Sequence, residues 1–236
     1  ITETGGIPAK IATATKGYAE FNGTTSVSTI GDIGNNDGTK AQRYLVNLRT
    51  SATTANMRIL NKQQDDSNPN GWSVGVSSGK IRFLMRSGNT IGQDIDVKSV
   101  NSYNDGEWHK LEVTYDGSVT GAGVKMYIDG AEIAVSVDSD NLTGDPTVTD
   151  NLEIGLAKLG GNTFDGDIAD VQLYDNGTLI LDTKLDKDSL DFSGNNNHGI
   201  DTDVTYPKYT PDDSFNPANP ILDTDGRNQN ARMYNA

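Results

Sequence analysis

The segment Trp108-His109-Lys110-Leu111-Glu112-Val113-Thr114-Tyr115-Asp116-Gly117-Ser118, closely followed by Val124-Lys125-Met126-Tyr127-Ile128-Asp129-Gly130-Ala131, admits few folds. Leu111, Val113 and Tyr115 fall at one parity with His109, and Lys110, Glu112 and Thr114 at the other. Successive side chains of a strand point to opposite faces, so this is a strand with one face buried and one wet. Val124, Met126 and Ile128 repeat the pattern. Asp129-Gly130 then supplies the two positive φ angles of a type I′ hairpin turn. An antiparallel meander follows, with Ile133, Val135 and Val137 expected on the return strand.

The same alternation recurs elsewhere. Trp72, Val74 and Val76 alternate with Ser73, Gly75 and Ser77; after Ser78-Gly79, Ile81, Phe83 and Met85 alternate with Arg82, Leu84 and Arg86. This second hairpin carries its arginines on the outer face. Shorter extended pieces are expected around the Asn22-Gly23 turn, at Arg43–Arg49, Met57–Leu60, Asp94–Val97, Leu152–Ile154 and Asp167–Tyr174. A parity break between Ile168 and Val171 predicts a bulge in the last of these. Helical periodicity is sustained nowhere, and 26 glycines with abundant Asn, Asp, Thr and Ser suit many short strands joined by turns.

The meander resembles the central hairpins of laminin G-like domains in the concanavalin A-like superfamily. Tyr18-Ala19-Glu20-Phe21-Asn22-Gly23-Thr24-Thr25 is similar to the family's opening strand and turn. Phe164-Asp165-Gly166-Asp167-Ile168-Ala169-Asp170-Val171-Gln172-Leu173-Tyr174 is similar to its closing strand. The resemblance implies an all-β fold, a concanavalin A-like jelly-roll sandwich of two antiparallel sheets. It spans roughly Gly17 to Asp175 and says little about function, because the superfamily holds lectins, glycan hydrolases and structural modules.

Residues 1–181 are assigned to the sandwich and 182–236 to an extended C-terminal arm, packed on the sandwich or on a neighbouring subunit. Pro207, Pro211, Pro217 and Pro220 bar a central strand there, and apolar residues are too sparse for a separate core. Within the arm, Asp191-Phe192-Ser193-Gly194-Asn195-Asn196-Asn197-His198-Gly199 resembles a phrase that often precedes the opening strand in bacterial and phage relatives. Here it follows the closing strand, marking either a rearranged edge or the start of a connection to another element. The chain begins at Ile1, which reads as a processed or excised chain.

A net charge of −14, from 33 acidic against 19 basic residues, disfavours nucleic acid and anionic membrane as partners. No apolar run approaches the roughly 20 residues of a membrane-spanning helix. Cysteine is absent, so thiol chemistry gives no compartment signal.

Catalytic patterns are scarce. Glycan hydrolysis on this scaffold uses carboxylates alternating on one strand face, and Asp94 and Asp96 come nearest, without the expected glutamates. His109 reads as framework, and His198 lies in a loop without a recognisable nucleophile. The chain is therefore expected not to be an enzyme.

Calcium is the better chemical expectation, since a hard cation takes carboxylate and carbonyl oxygens. The resemblance implies a structural calcium held by Asp170 of the closing strand with the Asn22-Gly23 backbone. Further acidic turns, at Asn35-Asn36-Asp37-Gly38, Asp138-Ser139-Asp140-Asn141, Asp165-Gly166-Asp167 and Asp223-Thr224-Asp225-Gly226, are weaker candidates. For sugar, an exposed ring with hydrogen-bonding neighbours is needed, and Tyr103, Arg82 and Arg86 are the candidates; Trp72 and Trp108 read as framework.

These readings converge on a non-catalytic extracellular recognition or adhesion module that binds glycan. The alternative is a structural building block of a virion (a decoration or fibre protein) or of a bacterial surface assembly, its copies joined through the arm. The glycoside hydrolase reading ranks below both. Expected partners are glycan or neighbouring protein subunits, at the cell surface, on a virion or otherwise outside the cell.

Overall fold

The computed structural model describes residues 17–64, 69–88, 93–156 and 163–207. Fifteen strands run through them. They begin with β1 (Ala19–Asn22), β2 (Val27–Gly31), β3 (Gln42–Arg49), β4 (Met57–Gln63) and β5 (Gly71–Ser77). Next come β6 (Lys80–Arg86), β7 (Asp94–Ser102), β8 (His109–Tyr115), β9 (Val124–Ile128) and β10 (Ala131–Glu132). The series closes with β11 (Val135–Asp140), β12 (Leu152–Ile154), β13 (Asp165–Asp175), β14 (Thr178–Thr183) and β15 (Ile200–Thr202). One three-residue 3₁₀ turn, Gly121–Gly123, is the helical content of the described residues.

The strands form two antiparallel sheets. The seven-stranded sheet runs β1-β13-β3-β8-β9-β10, with β14 beside β1 on the same side of β13; the eight-stranded sheet runs β11-β7-β6-β5-β4-β12-β2-β15. The alternation read from the sequence fixes what lies between them. Tyr44, Val46, Leu48, Leu111, Val113 and Tyr115 of one sheet meet Trp72, Val74, Ile81, Phe83, Met85 and Val97 of the other, all at most 1% exposed. Ring pairs bridge the layers, with Tyr44 4.7 Å from Trp72 and Phe83 stacked 5.7 Å from Tyr115 between centroids. Trp72 Nε1 donates to Gly34 O at 2.8 Å and the Tyr115 hydroxyl to Gly38 O at 2.5 Å, which hooks the loop after β2 over one end of the core.

The Asp129-Gly130 turn has φ of +53° and +84°, and Leu111 pairs with Ile128, as the meander requires. The return strand departs from expectation. β10 keeps two residues beside β9, and the chain then crosses to the other sheet, where Val135 and Val137 pair with β7. Val137 is 45% exposed, so its parity reflects an edge and not a buried face.

The bulge in β13 lies where the parity broke. Register shifts between Ala169 and Gln172, and Asp170 adopts φ +49°. A second bulge, between Arg58 and Leu60, disrupts β4. It turns Met57 and Leu60 inward yet leaves Lys62 opposite Trp72, its Nζ reaching Asp32 at 2.5 Å and Asp150 O at the core's end.

The assigned arm begins inside the sandwich. β14 runs to Thr183, β15 pairs with β2, and Thr205 bridges Glu20. Asp191 holds this segment together: its carboxylate accepts from the backbone N–H groups of Asp182, Ser193 and Asn197 and from the Ser193 hydroxyl, at 2.8–2.9 Å. The Asp-Phe-Ser-Gly-Asn phrase thus lies against β14, with Asp191 bridging Thr183. Residues 1–16, the remainder of the arm from 208 onward, and the acidic turn at Asp223–Gly226 lie outside the described residues.

Candidate functional site

The outward face of the eight-stranded sheet is set by the same alternation that buries Trp72, Val74 and Val76. On β5 the outward positions are Gly71, Ser73, Gly75 and Ser77, all small. Longer side chains flank them, Arg58, Asn61 and Gln63 from β4 and Arg82, Leu84 and Arg86 from β6, with Asp94 and Asp96 beyond on β7. A strand of small residues thus runs between two strands of large ones, a low line along β5 (the β5 trough) whose residues from Gly71 to Val76 are themselves buried.

Charges in this trough are unevenly matched. Arg82 grips Asp96 with Nε and Nη2 at 2.7 and 2.6 Å and gives Nη1 to Asn56 at 2.8 Å. Arg86 Nε reaches Asp94 at 3.1 Å. Arg58 is 6% exposed, its Nε has no partner, and it forms no ion pair among the described residues. Burial, with Arg82 and Arg86 close by, pulls its guanidinium down to about 10, still charged at neutral pH.

Neutral groups beside it are also unpartnered. Asn61 and Gln63, each 1% exposed, leave both amide atoms without a bond, and the Ser73 hydroxyl does the same; the Asp94 carboxylate, paired with Arg86 through Oδ2, leaves Oδ1 unbonded. A buried polar atom left unbonded costs about 1–3 kcal/mol. Several on one face is an arrangement a hydrogen-bonding ligand would relieve.

A corner of the other sheet behaves oppositely. Arg49 lies over the rings of Tyr18 and Trp108, 5.3 and 5.1 Å from their centroids, and pairs with Asp167 at 2.5 Å. Two shallow clefts of about 230 and 270 Å³ flank Asp165–Asp167 there. Its charged groups already satisfy one another, and Trp108 is half-buried with its ring against Tyr18 and Arg49.

Of the sugar-site candidates, Arg82 and Arg86 stand together in the trough, each already holding an aspartate. Tyr103 does not join them: it is half-buried, with its ring edge-on to His109 at 5.7 Å. His109 ties the loop before β8 to the hairpin, with Asp105 at 3.2 Å and Asp129 at 3.1 Å. Asp94 and Asp96, the hydrolase candidates, face the two arginines. Arg58, Asn61 and Gln63 were missed in the sequence because the β4 bulge breaks the parity that would have put them on one face.

The calcium residues are not brought together. β1–β13 register places Asp165 opposite Asn22, leaving Asp170 beyond the paired segment, which ends at Ile168. Asn22 Oδ1 already accepts from the N–H groups of Thr24, Thr25 and Ser26 and from the Thr24 hydroxyl. Asp170 accepts from Asn47 at 2.9 Å, with the Lys184 ammonium 3.9 Å away. Asn22 and Gly23 therefore lie at one end of the β1–β13 pairing and Asp170 beyond the other. No group of three or more His, Cys, Asp or Glu among the described residues is placed to hold a metal.

Comparison with known proteins bears on the fold. The laminin G-like model of the concanavalin A-like lectin/glucanases superfamily matches residues 13–179. No curated protein sequence matches the chain. Among solved structures, a Bacteroides ovatus protein described as carbohydrate-binding superposes with a TM-score of 0.57 at 14% identity, covering 81% of this chain and 59% of its own. Mouse laminin α1 domains LG4-5 give 0.52 at 15% identity, covering 72% and 44%. The LG1-3 region of the laminin α2 chain gives 0.50 at 15%, covering 82% and 35%. The chain thus spans 35–59% of the length of these structures. At such identities the likeness concerns the fold. Among the described residues no helix is long and apolar enough to cross a membrane.

Proposed function

The chain belongs to the concanavalin A-like lectin/glucanases superfamily, and from that membership we propose that it is a non-catalytic, extracellular recognition module that binds glycan in the β5 trough. The observation that carries this is the set of unbonded polar groups on Asn61, Gln63, Ser73 and Arg58 along a floor of Gly and Ser. A hydroxylated ligand offers donors and acceptors in alternation, which suits amide side chains that present both. The Bacteroides protein's description agrees with this reading. Neither Asp94 nor Asp96 supports hydrolysis, because each faces a guanidinium.

A glycan array tests the proposal, followed by titration calorimetry with the Asn61→Ala/Gln63→Ala double variant. Binding should fall at least tenfold in the variant with its melting temperature no lower than wild type. Silence across the array, or full affinity in the variant, would reject the trough.

A second reading, copies assembling into a surface or virion structure, is favoured by one observation. Leu190, Phe192 and Ile200 are 41%, 57% and 74% exposed, close together in sequence beside β15, the terminal strand of its sheet. Light scattering on the full chain and on Phe192→Ser/Ile200→Ser distinguishes it: a monomeric full chain would reject assembly.

A further inference from the structure

Arg58 is a charged group the fold does not use. Its neighbours Arg82 and Arg86 each own a carboxylate, and its opposite residue on β5 is Gly75, which offers no side chain to pair with it. Elsewhere the chain spends its acids freely: Asp96 takes two nitrogens of Arg82, and Asp167 takes Arg49. With 33 acidic side chains in the sequence, a buried arginine left without one is unlike its surroundings.

We propose that Arg58 is the specificity residue of the trough and receives a carboxylate carried by the ligand, so that the module recognises an acidic, hydroxylated saccharide in preference to its neutral counterpart. The inference rests on the glycan reading and adds the ligand's charge to it. A guanidinium with a free Nε–H edge matches a planar carboxylate through two parallel hydrogen bonds. Asn61, Gln63 and Ser73, on the same outward face of β4 and β5, would take neighbouring hydroxyls. Arg82 and Arg86 add positive potential without giving up their own partners. The site is then discriminating for a physical reason: a neutral sugar leaves Arg58 buried and unpaired, whereas an acidic one supplies its counter-ion.

Two measurements on the full chain test this together. The first is calorimetric titration with an oligogalacturonate and with its methyl-esterified form, after an array of carboxylated glycans and their neutral counterparts has set the choice of sugar. The acidic form should bind at least about 30-fold more tightly to wild type, and Arg58→Met should erase that preference. The second is thermal melting without ligand. Because the buried guanidinium forms no ion pair in the fold, Arg58→Met should melt at or above the wild-type temperature, by a few degrees. Equal affinity for acidic and neutral forms overturns the inference and leaves glycan binding standing. No binding of either form across the array defeats the glycan reading itself. A drop in melting temperature in Arg58→Met marks Arg58 as structural and also overturns the inference.

Discussion

Asp191 shows how a single side chain can hold a chain end in place. Burial pushes its carboxyl up, but the N–H groups of Asp182, Ser193 and Asn197 and the Ser193 hydroxyl outweigh that and hold it below the ordinary value of 3.8. A carboxyl depressed in the folded state contributes stability that is fully present above the ordinary value and is lost as pH falls through the folded one. Asp191→Ala should therefore cost about 2–3 kcal/mol at neutral pH. The gap from wild type should narrow below pH 4, the region set by that ordinary value. Denaturant melts at pH 7 and pH 3 read this directly; a gap that stays constant or widens on acidification would refute the assignment. The Asp-Phe-Ser-Gly-Asn phrase was recognisable in the sequence, but its role was not. Its carboxylate acts on Asp182 and Asn197, and nothing in local residue order announces which backbone donors a folded turn will present.

At the scale of strands and turns, period-two burial was legible and bulges only partly so. The β8–β9 hairpin, the Trp72 and Phe83 strands and the β13 bulge all follow from parity, because each inward side chain needs a partner across the core. β4 resists such a reading: its register shifts after Arg58 and every residue of Met57–Gln63 is buried, so inward and outward positions look alike in sequence and in exposure. The trough went unread for that reason. Two glycines of one sheet test the register that was read. Gly130 has φ +84° and open space where a Cβ would point, so Gly130→Ala should cost only the left-handed backbone strain, about 1 kcal/mol. Gly166 has φ +145°, and a Cβ there would strike Arg49 O of the paired strand. Gly166→Ala should cost at least about 3 kcal/mol more by separating β13 from β3. Equal losses in urea melts of the two variants would contradict the β13–β3 pairing.

For the whole molecule, the boundary of the fold matters more than its strand count. Composition placed the end of the sandwich at residue 181, because prolines and polar turns take over beyond it. The structure carries the fold through Thr205, since a short polar strand can complete a sheet edge by backbone bonds without any apolar signature. β15 pairs with β2, Ser26 donates to Asp203 O at 2.6 Å, and Leu185 is fully buried in the core. A chain ending at Asp182 loses all three, together with the Asp191 bonds, and leaves β2 with an unpaired edge. A chain ending at Pro207 keeps every contact described between the last strand and the sandwich. The shorter chain should thus melt at least about 10 °C below the chain ending at Pro207, or aggregate, given a few degrees per kcal/mol at this size. Calorimetry on the pair separates the two roles of the C-terminal region. If the chain ending at Asp182 melts like the longer one, β15 is an accessory, and the arm begins where composition first put it.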